Sequence, residues 1–372
     1  MPMNKGKIGF LNNRTTYIDA LKGIAICSVV MAHTGAGDLS FFMGTIGRIG
    51  RNGVQLFFVI SAMLTFSSLE RRYQNDSGAR FGTFKWIVKR FLCLAPLFYI
   101  AIVMYTIITG GSQYWLGSEG NVTGYNILSH FTFTHGLYPH YVNSIIGAEW
   151  YLGVLAIFYI FAPVLYKIIS SLERSILFTL LCIMLSSGIN VILYNRIPQV
   201  EDSYIYWEYL VTFSFFAQLP VLALGINVFY VLKQHTLPEL KEKRLLSYTF
   251  LAITLMMVWG QANGANRLYG ISEDVIFAFW CVILIISQSV VSIKMIDNVL
   301  FQILGRYSYP IYLYHHLCIY FYERYFHFDA GIKTLSWLIK YIFVIGFSLL
   351  IGFLLEKLID EPCRKILDEK FR

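Results

Sequence analysis

Few side chains in this sequence could do chemistry inside an otherwise apolar chain, and most lie on two helical stretches. The first reads Tyr17-Ile-Asp-Ala-Leu-Lys-Gly-Ile-Ala-Ile-Cys-Ser-Val-Val-Met-Ala-His33. Lys22 and His33 are eleven positions apart, which on a helix is one face and roughly 16 Å of axis. Asp19 falls near the same face. A polar stripe on an apolar helix faces the interior of a bundle or a wet cavity, and such groups are functional by default. An imidazole titrates near pH ~6.5 and suits a general base, so His33 is the candidate for proton transfer, with an interhelical hydrogen bond as the alternative reading. Lys22 is either part of that machinery or a snorkelling anchor, with Asp19 as its partner.

The second stretch reads Leu304-Gly-Arg-Tyr-Ser-Tyr-Pro-Ile-Tyr-Leu-Tyr-His315-His316. Ser308 and His315 share a face, with Tyr312 near it. Ser61 ends the run Gly53-Val-Gln-Leu-Phe-Phe-Val-Ile-Ser61; a hydroxyl there, taken alone, signals helix packing and no more. Glu149 and Trp150 stand where an apolar run begins. They either bind and stack on a sugar or are a solvated carboxylate beside an interfacial Trp. His130, His135 and His140 recur at five-residue intervals without carboxylate or Cys support, which argues against a metal site. Arg71, Arg72, Lys85, Lys89 and Arg90 form a basic segment. Either it docks phosphates, or it only marks the cytoplasmic side.

The elements that position these groups are membrane helices. Of the 372 residues 56% are hydrophobic and 14% charged, against roughly 25% charged in soluble domains. About ten runs are long enough to span a bilayer. They lie near Ile18–Ala36, Gly44–Leu69, Trp86–Thr109, Ala148–Ile169, Ile176–Tyr194, Leu210–Leu232, Leu245–Gly260, Asp274–Val291, Val299–Tyr322 and Leu335–Ile359. The second run can divide at Arg51-Asn52-Gly53, and Pro362 is expected to stop the last. Basic loops alternate with poor ones: Lys5, Lys7 and Arg14, then 71–90, Lys167 and Arg174, Lys233 to Arg244, Lys294, and Arg364 to Arg372, whereas 110–147 has no Lys or Arg. The fold class is therefore all-α, a polytopic transmembrane bundle with both termini cytoplasmic, and residues 1–372 form a single domain. The same loop bias, not nucleic acid, accounts for the net charge of +8. No cleavable signal peptide is visible. The six cysteines have no paired spacing and are read as apolar packers among membrane lipids. The sequons at Asn13, Asn75 and Asn121 carry no weight.

Taken together, these segments resemble the acyltransferase 3 family of bacterial membrane O-acyltransferases. The resemblance rests on Asp19, Lys22, Gly23 and His33; on Gly53-Val54 through Phe57-Phe58-Val59-Ile60-Ser61; and on Trp150-Tyr151-Leu152 with Phe158-Tyr159 and Pro163. It continues through Leu304-Gly305, Ser308-Tyr309, Ile311-Tyr312-Leu313 and His315, and ends on Glu361-Pro362 with Arg364. Three positions depart from the pattern. Arg90 fits the first of two arginines that precede Pro96, but Cys93 stands at the second. Ala62 replaces a common Gly. Leu155 stands at a frequent carboxylate, with Glu149 as a possible substitute. The resemblance implies a standalone enzyme of the bacterial inner membrane. It would move an acyl group, with acetyl the expected one, from cytoplasmic acetyl-CoA or another acyl-CoA to a hydroxyl of a cell-surface or lipid-linked carbohydrate. His33 would be the base or acyl carrier, with Lys22 and Asp19 beside it. Lys22, Arg90, Lys89, Arg71 and Arg72 would hold the donor. Ser61, Glu149, Trp150, Ser308, Tyr312 and His315 would line the substrate cavity between the first, second and ninth runs. No bound cofactor or metal is implied. The rival class is a glycan or lipid transporter or flippase, which intramembrane Asp, Lys and His also suit. The inverted repeats usual in transporters are not visible.

Overall fold

The computed structural model describes residues 16–75, 80–112, 121–194, 196, 203–234, 243–263, 271–326 and 328–370. Lys5, Lys7, Arg14, Glu119, Lys241 and Arg372 lie outside the described residues, as does the sequon at Asn13. The helices are α1 (Thr16–His33), α2 (Phe41–Arg51), α3 (Gly53–Asn75), α4 (Arg80–Ile108), α5 (Gly124–Phe131), α6 (Trp150–Ile168), α7 (Leu172–Tyr194) and α8 (Ser203–Glu208). They continue with α9 (Phe215–Gln234), α10 (Lys243–Ala262), α11 (Glu273–Val290), α12 (Val299–Arg306), α13 (Ser308–Phe321), α14 (Lys333–Leu355) and α15 (Glu361–Lys370).

Among the described residues, nine helical segments are long and apolar enough to cross a membrane. The chain is a multi-pass membrane protein. Leu180, Met184, Val191, Ile192, Ile342 and Leu350 stand exposed on the outside of the bundle, as lipid-facing residues do. The second run divides at Asn52, where α2 ends and α3 begins. The ninth run, expected as one span, is two helices. α12 ends at Arg306, Tyr307 is a turn, and α13 has 14 residues. Pro362 does not stop the last helix. It sits in the first turn of α15, where a missing N–H costs nothing.

The broken pair packs centrally because backbones touch. A Cβ on Gly23 of α1 would lie 2.0 Å from the Phe301 carbonyl oxygen, and one on Gly305 of α12 would lie 1.6 Å from that of Asp19. Only glycine permits that approach, and close crossings of this kind join helices where lipid gives no hydrophobic drive. Three tyrosines then tie α13 to α4. Tyr309 Oη donates to Leu94 O at 2.7 Å and Tyr314 Oη to Leu97 O at 3.0 Å. Tyr105 Oη donates to Leu313 O at 3.0 Å and accepts from Leu317 N at 2.8 Å. The Tyr105 hydroxyl thus bridges the Leu313 carbonyl and the Leu317 amide of α13, the two groups that frame the turn carrying His315 and His316.

Thr16 Oγ1 donates to Asp297 at 2.8 Å and Lys89 pairs with Asp368 at 2.7 Å. These contacts gather the starts of α1, α4 and α12 and the C-terminal helix at one end of the bundle, called here the terminal end. Arg306–Glu356 (3.9 Å) and Arg364–Asp360 (2.6 Å) add to it.

Candidate active site

The last residue of α1 meets the turn of α13 that Tyr105 holds. His33 Nδ1 and His315 Nε2 are 2.8 Å apart, and the rings stack at 5.0 Å. His315 Nδ1 lies 2.7 Å from the Tyr312 carbonyl oxygen. A carbonyl only accepts, so His315 Nδ1 carries the hydrogen and the Nε2 of a neutral His315 is an acceptor. His33 Nδ1–H must then donate to it. That assignment, made from the hydrogen-bond network, leaves the lone pair of neutral His33 on Nε2. His315 is fully buried, whereas His33 is exposed. A carbonyl, a buried imidazole and an accessible imidazole in series form an oriented base: the inner ring fixes the tautomer of the outer one and shares its charge once protonated.

Position is secured from two more sides. Trp337 Nε1 of α14 donates to Thr34 Oγ1 at 3.2 Å, which pins the end of α1. His316 packs against His33 at 4.4 Å and His315 at 4.3 Å. The ring nitrogens of the three histidines lie within 4.8 Å of one another. Three imidazoles are a chemically competent donor set for a cation such as zinc. Binding one through all three would require the lone pair that now accepts from His33.

Lys22 and Asp19 are half-buried on α1, level with the glycine crossing and roughly 16 and 21 Å along the axis from His33. They cannot touch an atom bound at His33 Nε2 and belong to the terminal end of the site. Ser61 Oγ is 2.8 Å from Tyr151 Oη. Tyr151 packs on Phe58 at 4.7 Å and on Tyr312 at 5.5 Å. Tyr312 Oη donates to Ala148 O. Ser61 and Tyr312 therefore share one aromatic wall. Ser308 is buried in the first turn of α13, and Trp150 is packed between Phe58 and Phe213.

Glu149 is not available to a sugar. It is 0% exposed, and its carboxylate accepts from four backbone amides, Ile145 (2.7 Å), Ile146 (3.1 Å), Gly147 (2.6 Å) and Ala148 (3.0 Å). His130 Nε2 stands 3.3 Å away. Burial alone would raise its pKa, but the bond and charge of His130 and the backbone N–H groups outweigh burial and hold Glu149 below the usual carboxylate range. His135, stacked on His130 at 4.4 Å, donates from Nε2 to Glu149 O at 3.1 Å. Its own burial, then the neighbouring His130, push it down to about 3. This knot lets a loop lie inside the bundle with its backbone satisfied. His140 packs separately, edge-on to Tyr206.

At the terminal end the Arg90 guanidinium lies over Trp86 at 5.0 Å and Tyr159 at 5.9 Å. Arg364, Arg90 and Lys89 all act electrostatically on Cys93. Arg71 is exposed and Arg72 half-buried in the last turns of α3. Sequence reasoning did not find His316, Tyr105 or Tyr151. His316 follows His315 directly, and neighbours on a regular helix point about 100° apart. Tyr105 and Tyr151 meet their partners across long sequence separations.

A family model described as an acyltransferase domain, the acyltransferase 3 type, matches residues 15–357. No curated protein and no solved structure matches the chain.

Proposed function

The chain belongs to the acyltransferase 3 family and is an acyltransferase, and from that premise we propose that it moves an acetyl group from acetyl-CoA to a hydroxyl of a cell-surface or lipid-linked carbohydrate. The observation that carries the proposal is the free Nε2 of His33, oriented by the His315–Tyr312 carbonyl chain. In the reaction the acceptor O–H gives its proton to His33 Nε2 while its oxygen attacks the thioester carbonyl. The C–S bond then breaks, and the departing CoA sulfur takes the proton back from His33. His315 steadies the transient imidazolium. Base catalysis of this kind is typically worth ~10²–10⁴-fold, and holding the two substrates together contributes more.

The donor enters at the terminal end, which faces the cytoplasm of a bacterial inner membrane; the Lys and Arg content of its loops supports this side. Arg90, Lys89, Arg71 and Arg72 hold its phosphates. Arg364 supplies, beside Cys93, the charge that the family pattern has from a second arginine. Lys22 stands along the path of the pantetheine arm to His33. The acceptor approaches from the opposite end. A cavity of about 750 Å³ there is lined by Tyr125, Tyr138, Tyr141 and Tyr206 together with Ser129 and Thr132. Aromatic faces and hydroxyls without a formal charge suit sugar rings. The whole chain, 1–372, works as one membrane domain.

The test compares surface glycan from cells with and without the gene by NMR. Base-labile acetyl signals are expected only in cells that carry it. Unchanged acetylation with altered export of the glycan would favour a transporter.

A further inference from the structure

Two arginines stand where the charge pattern of a membrane protein disfavours them. Arg48 and Arg51 lie three residues apart on α2, hence on one face, at the end of the bundle opposite the chain termini. With Asn52, Gln261 and Glu273 they line a cavity of about 370 Å³ that also reaches Ala32, the residue before His33. That volume falls in the range of small-ligand sites, roughly 300–1,000 Å³. Lys and Arg otherwise gather mainly at the terminal end. Cations on the far side, at the edge of the apolar bundle, are retained where a partner uses them.

The cavity is preorganised for an anion. Arg48 Nε donates to Ala262 O at 3.2 Å and its Nη2 to Thr45 Oγ1 at 2.8 Å. Those bonds fix the plane of the guanidinium while leaving three of its five N–H donors for a ligand. Arg51 makes no hydrogen bond to a described residue. The charge that acts on it is Asp274, whose carboxylate accepts from Gln218 at 3.0 Å. Glu273 also lines the cavity, in the first turn of α11, where the helix dipole favours a carboxylate. Of the two nearby carboxylates only Glu273 lines the cavity, whereas both guanidiniums do, so the hydrogen-bond donors facing the cavity favour an anion. Planar guanidinium forks match phosphate and carboxylate oxygens two at a time.

We infer that this cavity binds an anionic group of the acceptor, a phosphate or a sugar carboxylate, and so makes the enzyme select charged over neutral glycans. The word acceptor rests on the acyl-transfer reading; the anion site does not. The test uses the full chain in phosphatidylcholine nanodiscs and measures binding of methyl phosphate, methyl glucuronide and, as a neutral control, methyl glucoside by saturation-transfer NMR. One or both anionic probes are expected to bind wild type better than methyl glucoside does. Arg51→Gln is expected to weaken that probe roughly tenfold to hundredfold, the loss of hydrogen bonds to a charged group. Arg51→Lys keeps a point charge on the same face and should be intermediate, which keeps the test readable if Arg51→Gln expresses poorly. Dependence of methyl phosphate alone points to a lipid-linked phosphate, and dependence of the glucuronide to an acidic sugar. Anionic probes that bind no better than methyl glucoside, or equally well to wild type and to the folded Arg51 variants, overturn the site. Wild type is assayed in parallel for acetyl transfer to cell-surface glycan. No transfer, with Arg51-dependent binding intact, would sink the acyl-transfer reading and leave the anion site standing.

Discussion

At the scale of single residues the account turns on one hydrogen bond between rings 282 positions apart. His33 supplies the lone pair, and His315 decides which nitrogen carries it. His315→Gln keeps a polar side chain in the same space but no longer fixes the tautomer or shares the charge. Its kcat should fall on the order of 10²-fold or more, with KM for acetyl-CoA little changed; steady-state kinetics at matched protein yield checks this. The three-histidine cluster gives a second expectation. If His33 acts as a base, EDTA leaves the rate unchanged, and micromolar zinc inhibits by occupying the nitrogens that the reaction needs. Activity lost to EDTA and restored by zinc would replace base catalysis with metal chemistry. His33 and His315 were legible in the sequence as polar groups on apolar helices. Their pairing was not, because spacing within a helix says nothing about which helix stands opposite. Glu149 shows the converse: a carboxylate at the mouth of a span reads as a ligand group, yet four backbone amides of its own loop consume it.

At the scale of elements the site depends on how a short helix is held. α13 begins after the turn at Tyr307, and the Tyr105 hydroxyl of α4 bonds both Leu313 O and Leu317 N, on either side of His315 and His316. Tyr105→Phe removes the hydroxyl but keeps the ring. The turn carrying the two histidines then loses its tie to α4 and is free to shift. The variant should fold and insert normally yet lose on the order of 10²-fold in rate, the scale of a ~1 Å misplacement. Wild-type activity in Tyr105→Phe would show that this tie is irrelevant to the chemistry. Apolar run length found the spanning helices, and Arg51-Asn52-Gly53 marked the break between α2 and α3. The break at Tyr307 and the continuation past Pro362 were not legible. The first is imposed by glycine contacts between α1 and α12, and the second by a proline that tolerates a helix start as readily as it enforces an end.

At the scale of the whole molecule, nine spanning segments among the described residues and one broken pair bring α15, the start of α1 and the start of α4 to one end. Run lengths and loop charge made this plan legible, because a bilayer constrains both. The smaller cavity at the opposite end was not, since its walls come from helix ends far apart in sequence, whereas the larger one is walled mostly by residues 121–141 with Tyr206 across from them. Reporter fusions after Asn126 should read extracytoplasmic and fusions at Arg372 cytoplasmic; a cytoplasmic signal at Asn126 would invert the proposed donor and acceptor sides. The account as a whole stands on proton transfer at His33. The measurement that tests it most directly is NMR of surface glycan from cells in which His33→Gln, expressed at the wild-type level in the membrane, replaces the wild-type protein. Gln keeps hydrogen bonding but not basicity, so acetylation should fall by ~10²-fold or more while acetyl-CoA binding persists. Glycan acetylated at the wild-type level by His33→Gln would contradict the account and leave His33 as a packing residue between α1 and α13.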